Sequence, residues 1–510
     1  MKFVDKSTVH ELVRRAILHL AYELPQDISA GLCAMCGAES DPLAKSVLQQ
    51  LGKNDEISRT EKLPICQDTG TVRVLLEIGK NVSVAGDVFD EVDAAVAEAY
   101  IKGKLRLSTV RDAILDRTNT GDNTPAFCEV RIIEELDVAR LSIMIKGGGS
   151  DNASRVVMLV PGDGRDGIVR EVVKCVHEKG SSACPPLVIG VGIGGTFDSV
   201  ATMAQRALYR PIGQASDDGK IAELEQQILD EVNKSNVGPA GLGGSSTCMQ
   251  VSVISEACHI AAMPLAIDMG CSATRRCTID VPLCSVGTNC TVGFDEIEEA
   301  LQAAFVRPNV ANKQAADFVS EQISSHNIVN SSEEKLDSHI KLPVKHNDLA
   351  KLKAGDKVYL SGPIFTLRDA GHIRLLAEMK DGKLPYGLEG QTIYYAGPTP
   401  EKNGMPFGSI GPTTASRMDF AAPALYDGGV VATIGKGKRN KDVHDSCVKN
   451  GTVFFAAIGG SAAYLAKCVK SAEVIAYEDL GPEALRRCEV EDLPVYVAID
   501  TKGNDIYERE

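Results

Sequence analysis

The polar stretch from Asn327 to Asp337 has no sustained apolar period and reads as a linker. It interrupts a chain of 510 residues, longer than one hydrophobic core usually spans. Length and linker together require at least two cores. We place an N-terminal domain at residues 1–287 and a helical connector at 288–338, with helices over Phe294–Phe305 and Ala311–Ser325. A second domain covers 339–510. The first region mixes helical periods (7–23, Val92–Lys102, Gly167–Lys179) with strand-like runs (Val72–Ile78, Glu129–Glu134, Arg140–Ile145, Met249–Ile254, Pro264–Ile267). The second alternates short strands with glycine turns (Lys357–Leu360, Thr392–Ala396, Val430–Ile434, Thr452–Ala457, Val495–Ile499). The fold class is therefore mixed α/β (α+β).

Charge and composition remove several functional classes. The net charge of −15 argues against a general nucleic-acid binder, whose phosphate contacts need clustered Lys and Arg. It leaves room for a small anionic substrate, because a few arginines in a cleft dominate locally. No apolar run approaches the ~20 residues of a membrane helix. Met1-Lys2-Phe3-Val4-Asp5-Lys6 lacks the apolar core of a signal peptide, so a cytoplasmic protein is expected. Fifteen cysteines in such a compartment are mostly buried hydrophobes, with a few metal ligands among them. Cys33-x-x-Cys36 has no second pair at zinc-site spacing and reads as ordinary thiols.

Pro64-Ile65-Cys66-Gln67-Asp68-Thr69-Gly70 sets a thiol, an amide and a carboxylate side by side before a strand. Loops on rigid elements are where binding groups concentrate. We read Cys66 as the ligand of a metal cluster and its two neighbours as substrate contacts. Asn119–Ala126 is a polar loop, and Lys146-Gly147-Gly148-Gly149-Ser150 can bring backbone N–H groups close to a ligand. Cys184 precedes Pro185-Pro186 and the run Leu187–Thr196, in which Gly190, Gly192 and Gly195 match a dinucleotide pattern. Asp217 and Asp218 lie at the distance of its ribose-binding acid, but no strand leads to them, which argues against nicotinamide. Gly241-Leu242-Gly243-Gly244 is another glycine loop. Cys271 and Cys277 flank Arg275-Arg276, a basic patch suited to stabilising thiolates. In the second region Arg368, Arg417 and Lys436 lie in or near Gly-, Pro- or Thr-containing loops. Thr413 and Arg417 share a face if a helix starts there. This basic set suits a dianion.

Taken in order, these motifs resemble the class I, iron–sulfur fumarases and their relatives, the L-tartrate dehydratases and mesaconases. The resemblance runs from about residue 10 to the C-terminus and rests on eight motifs in family order, from Pro64–Gly70 to Gly435-Lys436-Gly437. It implies an N-terminal cluster-binding α+β domain and a C-terminal swivelling β/β/α-type domain, with the active site in the cleft between them. It implies a [4Fe–4S] cluster on Cys66, Cys184 and Cys271, with Cys277 as a competitor for the third place. Substrate contacts carried over are Gln67, Asp68, Arg106 and Gly149 from the first domain, and Arg368, Thr413, Arg417 and Lys436 from the second. Thr413, Asp68 and the nearby His259 would serve catalysis, with Thr413 as the base. Ile373 stands where a basic residue is expected, and Ser245-Ser246 stand where many relatives carry lysine.

The resemblance implies reversible hydration of fumarate to (S)-malate by a homodimer. Elementary chemistry agrees. Arginine forks clamp carboxylates, an open metal site acts as a Lewis acid, and a positioned base removes a proton from a poor carbon acid. Three thiolates leave one cluster iron open, whereas four would close it for electron transfer. L-tartrate dehydratase and mesaconase remain alternative assignments. A non-catalytic iron–sulfur sensor is the remote one, since it has no use for these arginines.

Overall fold

The computed structural model describes residues 2–84, 86–134, 138–285, 292–305 and 338–508. The expected helix over Ala311–Ser325 and the linker Asn327–Asp337 lie outside the described residues.

Two four-stranded sheets build the first region. One has the order β10 (Arg275–Val281), β5 (Ala139–Lys146), β2 (Thr71–Gly79), β4 (Phe127–Ile133). Helices α1 (Lys6–Tyr22) and α4 (Val88–Lys102) cover one face through Leu12, Ala16, Val92 and Val96, which recur at helical spacing and meet Val72, Val74 and Leu76. The other sheet has the order β6 (Arg155–Leu159), β9 (Met263–Gly270), β7 (Leu187–Gly195), β8 (Cys248–Cys258). It carries α6 (Gly164–Lys179) and α8 (Gly219–Asn233) on one face and α7 (Ser199–Ala207) on the other. A small third sheet joins β1 (Lys2–Val4), β3 (Val82–Val84) and β11 (Cys284–Ser285). Helices α2 (Gln26–Ala38), α3 (Pro42–Glu61) and α5 (Gly148–Asp151) complete this part, and α9 spans Phe294–Phe305 as expected.

The region after residue 338 is one seven-stranded mixed sheet. Its order is β12 (Ser338–Lys341), β13 (Lys357–Thr366), β14 (Thr392–Tyr394), β15 (Ala432–Gly435), β16 (Val453–Ala456), β18 (Leu485–Ile499), β17 (Val469–Ala476). β13 also pairs antiparallel with β18, so β13, β14, β15, β16 and β18 close into a ring. Side-chain alternation along β18 gives the ring two cores. Val495 and Val497 join one apolar cluster with Tyr394, Ile434 and Phe455. Tyr496 and Ala498 join another that also contains Ile28, Leu48 and Leu51 of the first region. The two regions thus share continuous apolar packing.

Strand register brings the functional loops to one place. Thr71 at the start of β2 pairs with Lys146 at the end of β5, and Arg275 at the start of β10 pairs with Ile145. The Cys66–Gly70 loop, the Gly147–Gly149 segment and the approach to β10 therefore meet at one sheet end. Val188 near the start of β7 pairs with Gly270 at the end of β9. Cys184 thus lies beside Cys271, where the chain crosses from the second sheet to the first.

The glycines of the dinucleotide-like pattern have a packing role. Gly190 and Gly192 lie inside β7 rather than in a loop after it, beneath α7. A Cβ on Gly190 would overlap the Ala204 carbonyl oxygen, and one on Gly192 that of Val200. Close helix–strand approach, not phosphate binding, accounts for both. Gly190→Ala should destabilise the fold by roughly 1–3 kcal/mol, the usual cost of overpacking. Urea unfolding measures this, and unchanged stability would show that α7 moves away freely.

Candidate active site

Cys66 follows α3 on a loop tied down by buried bonds. Asn54 Nδ2 donates to the Ile65 carbonyl at 3.0 Å, and the Ile65 N–H donates to the Ala21 carbonyl at 2.9 Å. Cys184 ends a 3-10 turn with a left-handed φ of 59°, and its carbonyl accepts from Ser272 N–H at 2.9 Å. Cys271 sits in a turn closed by Thr274, whose N–H and hydroxyl both reach the Cys271 carbonyl, at 3.0 and 2.7 Å. Burial raises the Cys66 thiol despite the opposing Arg275 cation. Burial, then Cys184 and Cys66, push Cys271 up to about 11. Cys277 goes elsewhere. It is buried in the apolar cluster under α1 and α4, and burial pushes it up to about 12.

Asp68 is the acidic group beside these thiols. Its Oδ1 is 2.8 Å from Arg106 Nη2, and its Oδ2 accepts from Gly148 N–H at 3.0 Å. Burial raises this carboxyl, but Arg106, Arg275 and Arg368 outweigh it and hold it below its ordinary value. The neighbouring Gln67 is buried and donates through Nε2 to the Pro412 carbonyl at 3.3 Å. A Cβ on Gly411 would overlap Gln67 Oε1, so glycine there is required for the close approach of the two regions.

The region after residue 338 supplies cations. Lys436 Nζ is 2.6 Å from Cys184 Sγ. Burial opposes its charge, yet Cys184, then Cys66 and Cys271, raise its pKa overall. A Cβ on Gly149 would lie 3.2 Å from Lys436 Nζ, which puts Gly149 beside the ammonium. Arg368 Nη1 reaches Thr413 Oγ1 at 3.5 Å, and its Nη2 pairs with Glu483 at 2.9 Å. Burial and then the like charge of Arg106 lower the Arg368 pKa. The two guanidiniums flank Gly397. Arg106 Nη1 donates to its carbonyl at 3.1 Å, and a Cβ there would lie 2.9 Å from Arg368 Nε.

Two expected residues are placed differently: Arg417 lies at the edge, its charge felt by Arg368, and His259 lies away. Thr413 lies in extended chain, and the 3-10 turn begins only at Ala415. Arg417 therefore does not share a helical face with Thr413; it is exposed and forms a two-pronged pair with Asp369. His259 is exposed in the β8–β9 turn, where Cys258 pairs with Gly195 at the far end of β7. Eight residues of strand separate that end from Leu187, about 26 Å at ~3.3 Å per residue. His259 is thus far from Cys184 of its own chain.

Arg275 was legible only as part of a basic patch, and β10 sorts that patch by alternation. Arg276 turns to one face, where it pairs with Asp27 at 2.7 Å and donates to the Leu208 and Arg210 carbonyls. Arg275 turns to the other and is 1% exposed. Its Nη2 donates to the Asp68 carbonyl at 2.9 Å, while Nε and Nη1 have no hydrogen-bond partner among the described residues. A buried guanidinium with orphaned N–H groups beside thiols calls for further negative charge. Among the described residues no three His, Cys, Asp or Glu side chains close around a single ion. Three thiols beside a buried cation with unused N–H groups fit an anionic iron–sulfur cluster better than a single ion.

One carboxylate and four cations, Arg106, Arg275, Arg368 and Lys436, thus gather around three thiols. Sequence comparisons place the chain in a family. Residues 10–280 match the family described as fumarate hydratase (Fumerase), and 309–510 match the fumarase C-terminus. The chain is 31% identical over 489 residues to the anaerobic class I fumarate hydratase of Escherichia coli K12, covering 91% of this chain and 83% of that protein. It is 30% identical over 482 residues to the mitochondrial fumarate hydratase 1 of Leishmania major, covering 91% and 83%. A putative L(+)-tartrate dehydratase subunit alpha of Methanocaldococcus jannaschii is 36% identical over 281 residues, 54% of this chain and 96% of that one. The chain belongs to the fumarate hydratase family.

The low Asp68 pKa has a signed consequence. Its stabilisation is present above the ordinary carboxylate value and is lost as pH falls through the depressed one. Arg106→Met should lower stability at neutral pH and flatten the fall in stability between about pH 5 and pH 2. Unfolding midpoints measured across that range test this, and parallel curves for the two proteins would remove the Arg106–Asp68 coupling.

Proposed function

We propose that the protein is a hydro-lyase that interconverts fumarate and (S)-malate at a site between residues 1–287 and 339–510. The observation that carries this reading is the meeting of Cys66, Cys184 and Cys271 with Asp68, Arg106, Arg368 and Lys436, groups drawn from both regions. Cys66, Cys184 and Cys271 would hold a [4Fe–4S] cluster, and Arg275 would face its negative charge. When bound, that cluster supplies a Lewis acid at the substrate hydroxyl.

The chain's own residues do the remaining work. Arg106 and Arg368 bind the dicarboxylate as two guanidinium forks. Their mutual repulsion in the free site is relieved when the dianion enters. Gln67, Gly149 and Asp68 orient the substrate beside Lys436, and Arg417 adds positive charge from the rim. Thr413 Oγ1, as an alkoxide stabilised by Arg368 Nη1, takes the carbon-bound proton and becomes a neutral hydroxyl, and in the hydration direction that hydroxyl returns the proton to carbon. Shared apolar packing holds the two regions together around the site.

The tartrate dehydratase relative supports a second reading, L-tartrate as substrate. The two departures from family pattern do not favour it. Ile373 is exposed, and Ser245 and Ser246 bind Glu39 through their N–H groups. We further propose a cytoplasmic homodimer. The described residues contain no helix long and apolar enough to cross a membrane. His259 takes part in catalysis only if it reaches the site of a second subunit.

Protein purified without oxygen should carry iron and sulfide and hydrate fumarate faster than it consumes L-tartrate or mesaconate. A colourless protein with full activity would sink the cluster. A clear preference for tartrate would overturn the substrate. Cys271→Ser should abolish iron binding, and Cys277→Ser should leave iron content within about twofold while lowering stability by roughly 1 kcal/mol. Thr413→Val should lower kcat at least about 100-fold, the low end for a general base, with iron retained. Activity should fall in air and return with iron and a reductant.

A further inference from the structure

Tyr507 lies in the 3-10 turn Ile506–Glu508 beyond β18, distant in sequence from every group above. Its side chain is buried, and its hydroxyl accepts from the Gly437 N–H at 3.0 Å. Gly437 directly follows Lys436 and has a φ of 81°, a conformation open chiefly to glycine. A Cβ there would come within 3.2 Å of Ser182 Oγ. On the other side, a Cβ on Gly241 would stand 3.3 Å from Tyr507 Cε1 and closer still to Ser181 Cβ. Ser181 and Ser182 belong to the 3-10 turn that delivers Cys184. One phenol thus touches the loop that carries Lys436 and the glycine loop at 241–244 that packs on the Cys184 turn. Its own turn is held by Tyr507 N–H donating to Asp505 Oδ1 at 2.8 Å and by the Ile499–Asp505 bridge.

We propose that Tyr507 is a positioning residue: its hydroxyl fixes Gly437 and so holds the Lys436 ammonium against Cys184 and beside Gly149. The proposal rests on the reading of Lys436 as a substrate-site residue. The physical reason is leverage. Gly437 restrains the backbone weakly, while Lys436 must aim an ammonium at the end of a four-carbon stem. Lys436 N–H reaches the Thr413 carbonyl at 3.2 Å and Ala415 N–H reaches the Lys436 carbonyl at 2.8 Å, which fixes the loop on its N-terminal side. The Tyr507 hydroxyl fixes it on the other. Phenylalanine would keep the ring against Gly241 but leave the Gly437 N–H in a buried place without its acceptor.

The test uses anaerobically purified full-length Tyr507→Phe. Amide hydrogen exchange across 435–438 should quicken about tenfold, the effect of losing one buried hydrogen bond, with exchange in α3 unchanged. The kcat/KM for (S)-malate should fall about tenfold. Lys436→Met should cost more, and adding Tyr507→Phe to it should cost nothing further, as expected of coupled residues. Unchanged exchange at 435–438, or additive losses in the double variant, would overturn the proposal. Gly437→Ala, which strains the loop while leaving Tyr507 intact, should reproduce the kinetic loss; full activity in that variant also counts against it. If Lys436→Met is fully active, the role given to Lys436 fails, and the exchange result still decides whether Tyr507 holds the loop.

Discussion

Arg106, Arg275, Arg368 and Lys436 are like charges brought together away from water, and anions must hold them there. Asp68 is central to that compensation. It pairs with Arg106, feels Arg275 and Arg368, and is fixed from behind by Gly148 N–H. Glu483 takes one edge of Arg368, and Cys184 faces Lys436. Two Arg275 nitrogens have no hydrogen-bond partner among the described residues. Such a gathering of like charges costs folding free energy, and under the proposed function a negatively charged cluster and a dianion would offset it.

The compensation depends on register. A one-residue slip of β10 against β5 would turn Arg275 into the place of Arg276, away from the thiols and toward Asp27. The Arg276 clamp on Asp27 and on two backbone carbonyls opposes that slip, so a residue outside the site secures the orientation of one inside it.

Much of this was legible beforehand, and the failures have physical causes. The helix at Phe294–Phe305, the strand after Cys66 and the alternating strands of the later region follow from local periodicity. Cys66, Cys184 and Cys271 could be singled out by motif, but Cys277 could be set aside only once β10 fixed which side chains face α1 and α4. Gly190 and Gly192 resembled a phosphate loop because packing and phosphate binding both need a missing Cβ, and sequence does not distinguish the two. Thr413 and Arg417 do not share a helical face because the 3-10 turn starts two residues after Thr413. His259 was placed near the site although β7 separates them, a distance invisible to motif order. Tyr507 has no motif at all: its role comes from where β18 returns the chain.

The bonds joining the two regions, Gln67 to Pro412 and Arg106 to Gly397 among them, are of the kind that hold separate subunits together. The archaeal relative aligned over 54% of this chain carries the name of a subunit alpha. Here one covalent chain spans both sides. In the proposed site, groups from the two regions meet within one molecule, so their encounter does not depend on the amount of protein present. A cell that dilutes this protein does not dilute one half of its site away from the other.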